Sequence, residues 1–155
     1  MADVFSQMYI HLVFCPARRE ALIRPEWEDR LYKYITGVIQ TRGHKLLAIN
    51  GMPDHIHIFI GLKPVESISD LVREIKNASN FFINSENLSK YVFKWQQGYG
   101  VFTYGRWDLN NVIRYILNQK QHHEKKKFKD EFLKMCEVFD IEMGRKTNFE
   151  FFDEI

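Results

Sequence analysis

The run Met52-Pro53-Asp54-His55-Ile56-His57-Ile58-Phe59-Ile60-Gly61 decides how this chain is read. Its β-branched residues alternate with other side chains, the period of a strand. In a strand, residues two apart leave the same face. His55 and His57 therefore share one side, and Ile56, Ile58 and Ile60 share the other. Two neutral imidazoles side by side make half of a metal site. They also fit a plainer description, two polar residues on the wet face of an amphipathic strand. The triplet alone leaves both open.

Working outward, Gly51-Met52-Pro53-Asp54 reads as a hairpin connection between strands over Lys45 to Asn50 and His55 to Leu62. Met8 to Cys15 reads as an earlier strand, followed by Arg18-Arg19 in a loop. Pro25 suits a first helical turn. Trp27, Leu31, Ile35, Val38 and Ile39 give helical spacing from Glu26 to about Arg42, and Gly43 stops it. Ser67 opens a second helix with Leu71, Val72, Ile75 and Ala78 facing inward. An irregular stretch, about Asn84 to Gln97, leads to a strand near Tyr99 to Tyr104. Asp108 is expected to cap a third helix from Leu109 to about Lys125, and a last helix covers Asp130 to Phe139. The tail from Gly144 to Ile155 is hard to read, and residues 136–155 are assigned no role. The order β-α-β-β-α-β-α-α predicts an α+β fold, a ferredoxin-like βαββαβ antiparallel sheet with additional C-terminal helices. Right-handed crossovers put the first two helices on one face. The other face, uncovered in that plan, carries Tyr9, His11 and Val13 beside His55, His57 and Phe59.

A chain of 155 residues, 45% hydrophobic, suits one globular domain over 1–155. A net charge of +2 does not announce a nucleic-acid binder through charge alone, so any basic surface must be local. Cys15 and Cys136 lie far apart without a CxxC spacing, which fits a reducing cytoplasm. Met1 to Phe5 lacks a basic leader, so no signal peptide is expected. No apolar run approaches the roughly 20 residues needed to cross a bilayer.

In the third helix, Leu109, Val112, Ile113, Ile116 and Leu117 form one apolar stripe at helical spacing. Tyr115 lies outside it and Gln119 at its margin, four residues apart on one flank. They suit a boundary tyrosine and a solvated glutamine. Tyrosine can equally be a covalent nucleophile, and glutamine can offer a carbonyl oxygen to a metal. Asp54-His55-Ile56-His57 followed by Tyr115-Ile116-Leu117-Asn118-Gln119 resembles the single-tyrosine HUH transposases of bacterial insertion sequences, the IS two-hundred type. Tyr9-Ile10-His11-Leu12-Val13-Phe14, Arg18-Arg19, Ile75-Lys76-Asn77-Ala78-Ser79, Trp95-Gln96-Gln97-Gly98-Tyr99 and Thr103-Tyr104-Gly105 are similar to further stretches of that family, in the same order. The likeness spans about residues 6 to 135. Pro16-Ala17 departs from it, standing where a basic-aromatic pair is more usual.

The resemblance implies cleavage and rejoining of single-stranded DNA, with hairpin-containing element ends as partner and a homodimer as assembly. It implies Tyr115 as nucleophile, and His55, His57 and Gln119 as ligands of one divalent ion, Mg2+ or Mn2+. Manganese reconciles the mixed nitrogen and oxygen ligands better. No general base stands out. Arg18, Arg19, Lys76 and Arg106 are candidates for backbone phosphates. His11 is placed under the DNA rather than behind a metal ligand, His122-His123 at a solvated helix end rather than among the ligands, and Lys125-Lys126-Lys127 with Lys129 on a solvated face that could also contact phosphates. Asp54 is assigned to shaping the turn. No nucleotide cofactor is expected, because no Gly-rich phosphate loop is present. Two readings compete: a non-catalytic single-strand-binding module whose sheet stacks bases, and a domesticated relative that nicks DNA but moves no element.

Overall fold

Four strands pair antiparallel in the order β2-β3-β1-β4 in a computed structural model that describes residues 3–124, 126–142 and 151. They are β1 (Tyr9–Phe14), β2 (Lys45–Met52), β3 (His55–Gly61) and β4 (Gly100–Thr103). The helices are α1 (Pro25–Thr41), α2 (Ile68–Ser85), α3 (Leu109–Leu117), α4 (Gln119–His122) and α5 (Phe128–Val138). A 3-10 turn, Arg106–Asp108, precedes α3. The ferredoxin-like expectation holds, with β1 and β3 side by side in the middle.

Register sorts the side chains. Ile10, Leu12 and Phe14 pair with Ile60, Ile58 and Ile56. That face packs on Leu31, Ile35 and Ile39 of α1 and Leu71, Val72 and Ile75 of α2. Val13 faces His57 and His11 faces Phe59 across the same strand pair, so the histidines sit on the second face. β2 runs two residues further than expected and pairs Met52 with His55, leaving a tight turn at Pro53-Asp54. Ser67 caps α2 as expected, its hydroxyl accepting from the Asp70 N–H at 3.1 Å.

The second face is not open. Ala48 and Phe59 pack against Val112 and Ile116 of α3. Val13, Cys15 and Phe102 pack against Phe128, Phe132 and Cys136 of α5. Gly100 permits this approach, since a Cβ there would stand 2.8 Å from the Phe132 ring. The sheet is therefore sandwiched between two helical layers.

The third helix also differs from expectation. It stops at Leu117, and Asn118 turns out of helical geometry at φ −94°, ψ 15° before α4 begins. The Asn50 side chain of β2 donates to the Ile116 and Leu117 carbonyls, each at 3.1 Å, and satisfies the helix end. Asp108 makes no side-chain cap bond, because the 3-10 turn winds directly into α3. α5 begins two residues earlier than expected, at Phe128. Lys125 and most of the tail, residues 143–150 and 152–155, lie outside the described residues. Both cysteines are buried and unpaired. Trp27 and Trp95 are buried, at 6% and 2% exposure, whereas Trp107 in the 3-10 turn is 89% exposed. Among the described residues no helix is long and apolar enough to cross a membrane.

Candidate active site

β3 delivers His55 and His57 to the covered face, both wholly buried. The His55 Nδ1 lies 2.7 Å from Asp54 Oδ1, so this nitrogen carries the proton and donates it to the carboxylate. Its Nε2 then presents a lone pair. The Phe128 ring stacks on the imidazole, 4.1 Å between centroids and 11° apart, and holds its orientation. His57 is held from behind, its Nδ1 2.7 Å from His11 Nε2. This corrects the expectation for His11. It has no exposed surface, and its contact is with His57, the place of a residue behind a site histidine.

The break at Asn118 swings Gln119 inward. Its Oε1 lies 3.1 Å from His55 Nε2. Tyr115, one turn earlier, stands edge-on to His57 with ring centroids 5.9 Å apart. One chain thus brings together the phenol, the amide and both imidazoles.

A carboxylate that sequence reasoning passed over stands among them. Glu131 of α5 is 2% exposed. Its Oε1 lies 3.0 Å from His57 Nε2, 3.1 Å from His123 Nε2 and 3.4 Å from His55 Nε2. Its Oε2 accepts from Gln119 Nε2 at 3.0 Å and from the Tyr115 hydroxyl. His122 Nε2 stands 3.4 Å from the same oxygen. His123 donates its Nδ1–H to the Lys126 carbonyl at 2.5 Å, which leaves its Nε2 facing the carboxylate. His55, His57, His123 and Glu131 offer ligand atoms all within 4.8 Å of one another. Nothing in the local pattern around Glu131 signals this, for α5 reaches the site only through tertiary packing. His123 was visible as half of a histidine pair. Asp54 was visible as a carboxylate beside His55, and its role goes beyond the turn.

The cluster is electrostatically tight. Burial pushes Tyr115 above the usual phenol range, and the charge and hydrogen bond of Glu131 push it further. Burial would raise Glu131, but His57, His123 and His55 together hold it well below the usual carboxylate range. Burial lowers both His11 and His57, and Glu131 offsets part of that.

The basic residues divide. Arg18, Arg19 and Arg106 are exposed on loops or turns. Lys76 belongs to α2, on the far face of the sheet, and is engaged internally. Its Nζ donates to the Gln96 carbonyl at 2.8 Å and the Gly98 carbonyl at 2.6 Å, and sits over the Phe14 ring. These contacts staple the segment leading to β4.

By its sequence this chain falls in the class of IS200-like transposases. The family described as "Transposase IS200 like" matches residues 4–119, and the chain belongs to it. It is similar to the ISDra2 transposase TnpA of Deinococcus radiodurans, 25% identical over 118 residues, covering 73% of this chain and 84% of that one. A crystal structure assigned to a transposase of the same organism superposes with a TM-score of 0.58 at 24% identity, over 77% of this chain and 95% of that one. The REP-associated tyrosine transposase bound to a REP hairpin superposes with a TM-score of 0.57 at 19% identity, over 79% of this chain and 74% of that one. The last two likenesses establish the shared fold. The family match ends at Gln119, so His123 and Glu131 lie beyond it.

Proposed function

We propose that this transposase cleaves and rejoins single-stranded DNA, with Tyr115 as nucleophile and a divalent cation held by His55, His57 and Gln119. The observation that carries this reading is the convergence, within one chain, of the Tyr115 phenol, the Gln119 amide and the two imidazoles. The donor set suits a cation. His55 and His123 each give their Nδ1–H to an oxygen and turn Nε2 inward, as metal-bound histidines commonly do. Once bound, Mg2+ or Mn2+ would supply Lewis-acid polarisation of the scissile phosphate.

The rest is done by side chains. His57 and His55 are rigidly oriented by His11, Asp54 and Phe128, and the site is prearranged before DNA arrives. The Tyr115 oxygen attacks phosphorus, a bond to the tyrosine forms, and the bond to the 3′-oxygen breaks. The phenol loses its proton and the departing oxygen gains one as a free 3′-hydroxyl. The phosphotyrosine linkage retains the bond energy, so a second DNA end can reverse the step without a nucleotide cofactor. One chain supplies every member of the cluster, so the homodimer implied by the resemblance is not needed to complete it. The base-stacking module is the weaker reading, because α3 and α5 cover the face on which bases would stack.

The test is formation of a denaturation-resistant protein–DNA adduct with single-stranded oligonucleotides and Mn2+. Wild type should form it, EDTA should prevent it, and Tyr115→Phe should lose it while still binding DNA. An adduct with Tyr115→Phe would remove the nucleophile assignment. Adduct without rejoining would mark a nicking relative.

A further inference from the structure

We propose that Glu131, carried by α5 beyond the family-matched stretch, is itself a ligand of the cation, with His123 beside it, and that its second oxygen holds the Tyr115 phenol against the metal. The proposal rests on the reading of a metal site at His55 and His57 and adds two ligands to it.

Three observations support it. The first is spacing. Ligand atoms bound about 2.1 Å from one ion lie about 3.0–3.4 Å from each other in tetrahedral or octahedral geometry. Glu131 Oε1 stands 3.0, 3.1 and 3.4 Å from the Nε2 atoms of His57, His123 and His55. The second is hydrogen-bond direction. In their metal-binding, neutral form, His55 and His123, whose Nδ1–H groups are given to Asp54 and to the Lys126 carbonyl, aim Nε2 lone pairs at the carboxylate oxygen. The Gln119 carbonyl oxygen aims at His55 as well. Acceptors facing acceptors in a buried space are costly unless a cation lies among them. The third is burial. A carboxylate this enclosed needs a compensating positive charge, and a divalent cation among the same three imidazoles would supply it.

The two carboxylate oxygens then do different work. Oε1 joins the ligand set. Oε2 accepts from the Tyr115 hydroxyl and the Gln119 amide, and so fixes the nucleophile and the third predicted ligand to one anchor. Glu131 is a ligand and a positioning residue in one.

The experiment is calorimetric titration of the full chain with Mn2+, paired with the visible spectrum of the Co2+-loaded protein. Glu131→Gln should weaken Mn2+ binding at least about 10-fold and alter the Co2+ bands, and His123→Ala should weaken it as well. Wild-type affinity and an unchanged spectrum in Glu131→Gln would overturn the assignment. Tighter binding would also overturn it and make Glu131 a plug. His57→Ala separates the layers: if it too leaves metal binding intact, the underlying metal site is wrong. If it abolishes binding while Glu131→Gln does not, only the present assignment fails. Should the Glu131 variants not fold, 13C-glutamate labelling of the unmutated chain reads the same contact. One carboxyl resonance should broaden away first as Mn2+ is added, and survival of all of them at one equivalent would refute the proposal.

Discussion

Asp54 and His11 are buried against His55 and His57 and decide what those imidazoles can offer. A carboxylate that accepts from Nδ1 fixes the tautomer and raises the basicity of the opposite nitrogen. Replacing Asp54 with Asn keeps the shape and removes the charge. Asp54→Asn is expected to lower divalent-metal affinity by about 10- to 100-fold with little change in thermal stability, as checked by calorimetry and melting. The sequence showed both histidines and their shared face through period-two alternation alone. The roles of Asp54 and His11 were harder to read, since depth of burial depends on what covers a strand.

At the scale of elements, the junction of α3 and α4 is the informative one. A straight helix would keep Gln119 at the rim of the apolar stripe. The break at Asn118, with Asn50 bonded to two carbonyls, turns it into the site. Asn50→Ala should cost about 0.5–1.5 kcal/mol, the net worth of a hydrogen bond at this partly exposed helix end. It should also weaken metal binding in parallel, a coupling that denaturant melts and titrations on one sample would reveal. Periodicity could not show this break, because Leu109 to Leu117 and the residues after it contain no proline or glycine. The bond that ends the helix comes from β2, 66 residues away in the chain. α5 poses the same difficulty: Phe128, Phe132 and Cys136 give helical spacing, but not which surface they cover.

The whole molecule is a sheet clasped on both faces, and its stability draws on both layers. On the far face, burial brings Lys76 down from 10.5 to about 8. Between those values the unfolded chain holds a proton that the folded chain has shed, so stability rises with pH across that window. The slope should vanish in Lys76→Met. Denaturant melts of both proteins from pH 8 to pH 10.5 should show wild type gaining relative to the variant. A flat difference would mean the carbonyl and ring contacts keep the ammonium charged. The βαββαβ order, the strand neighbours and the inward faces of α1 and α2 were all legible from alternation, helical spacing and crossover handedness. The covering of the second face was not, because an amphipathic helix declares that it packs without declaring where.

Three tryptophans with two of them sealed in the core make the chain its own optical probe. Trp107, almost fully in water one turn before the tyrosine helix, should account for the long-wavelength emission and nearly all quenching by acrylamide or iodide. Anything that settles beside α3 will be announced by that one indole, without a label.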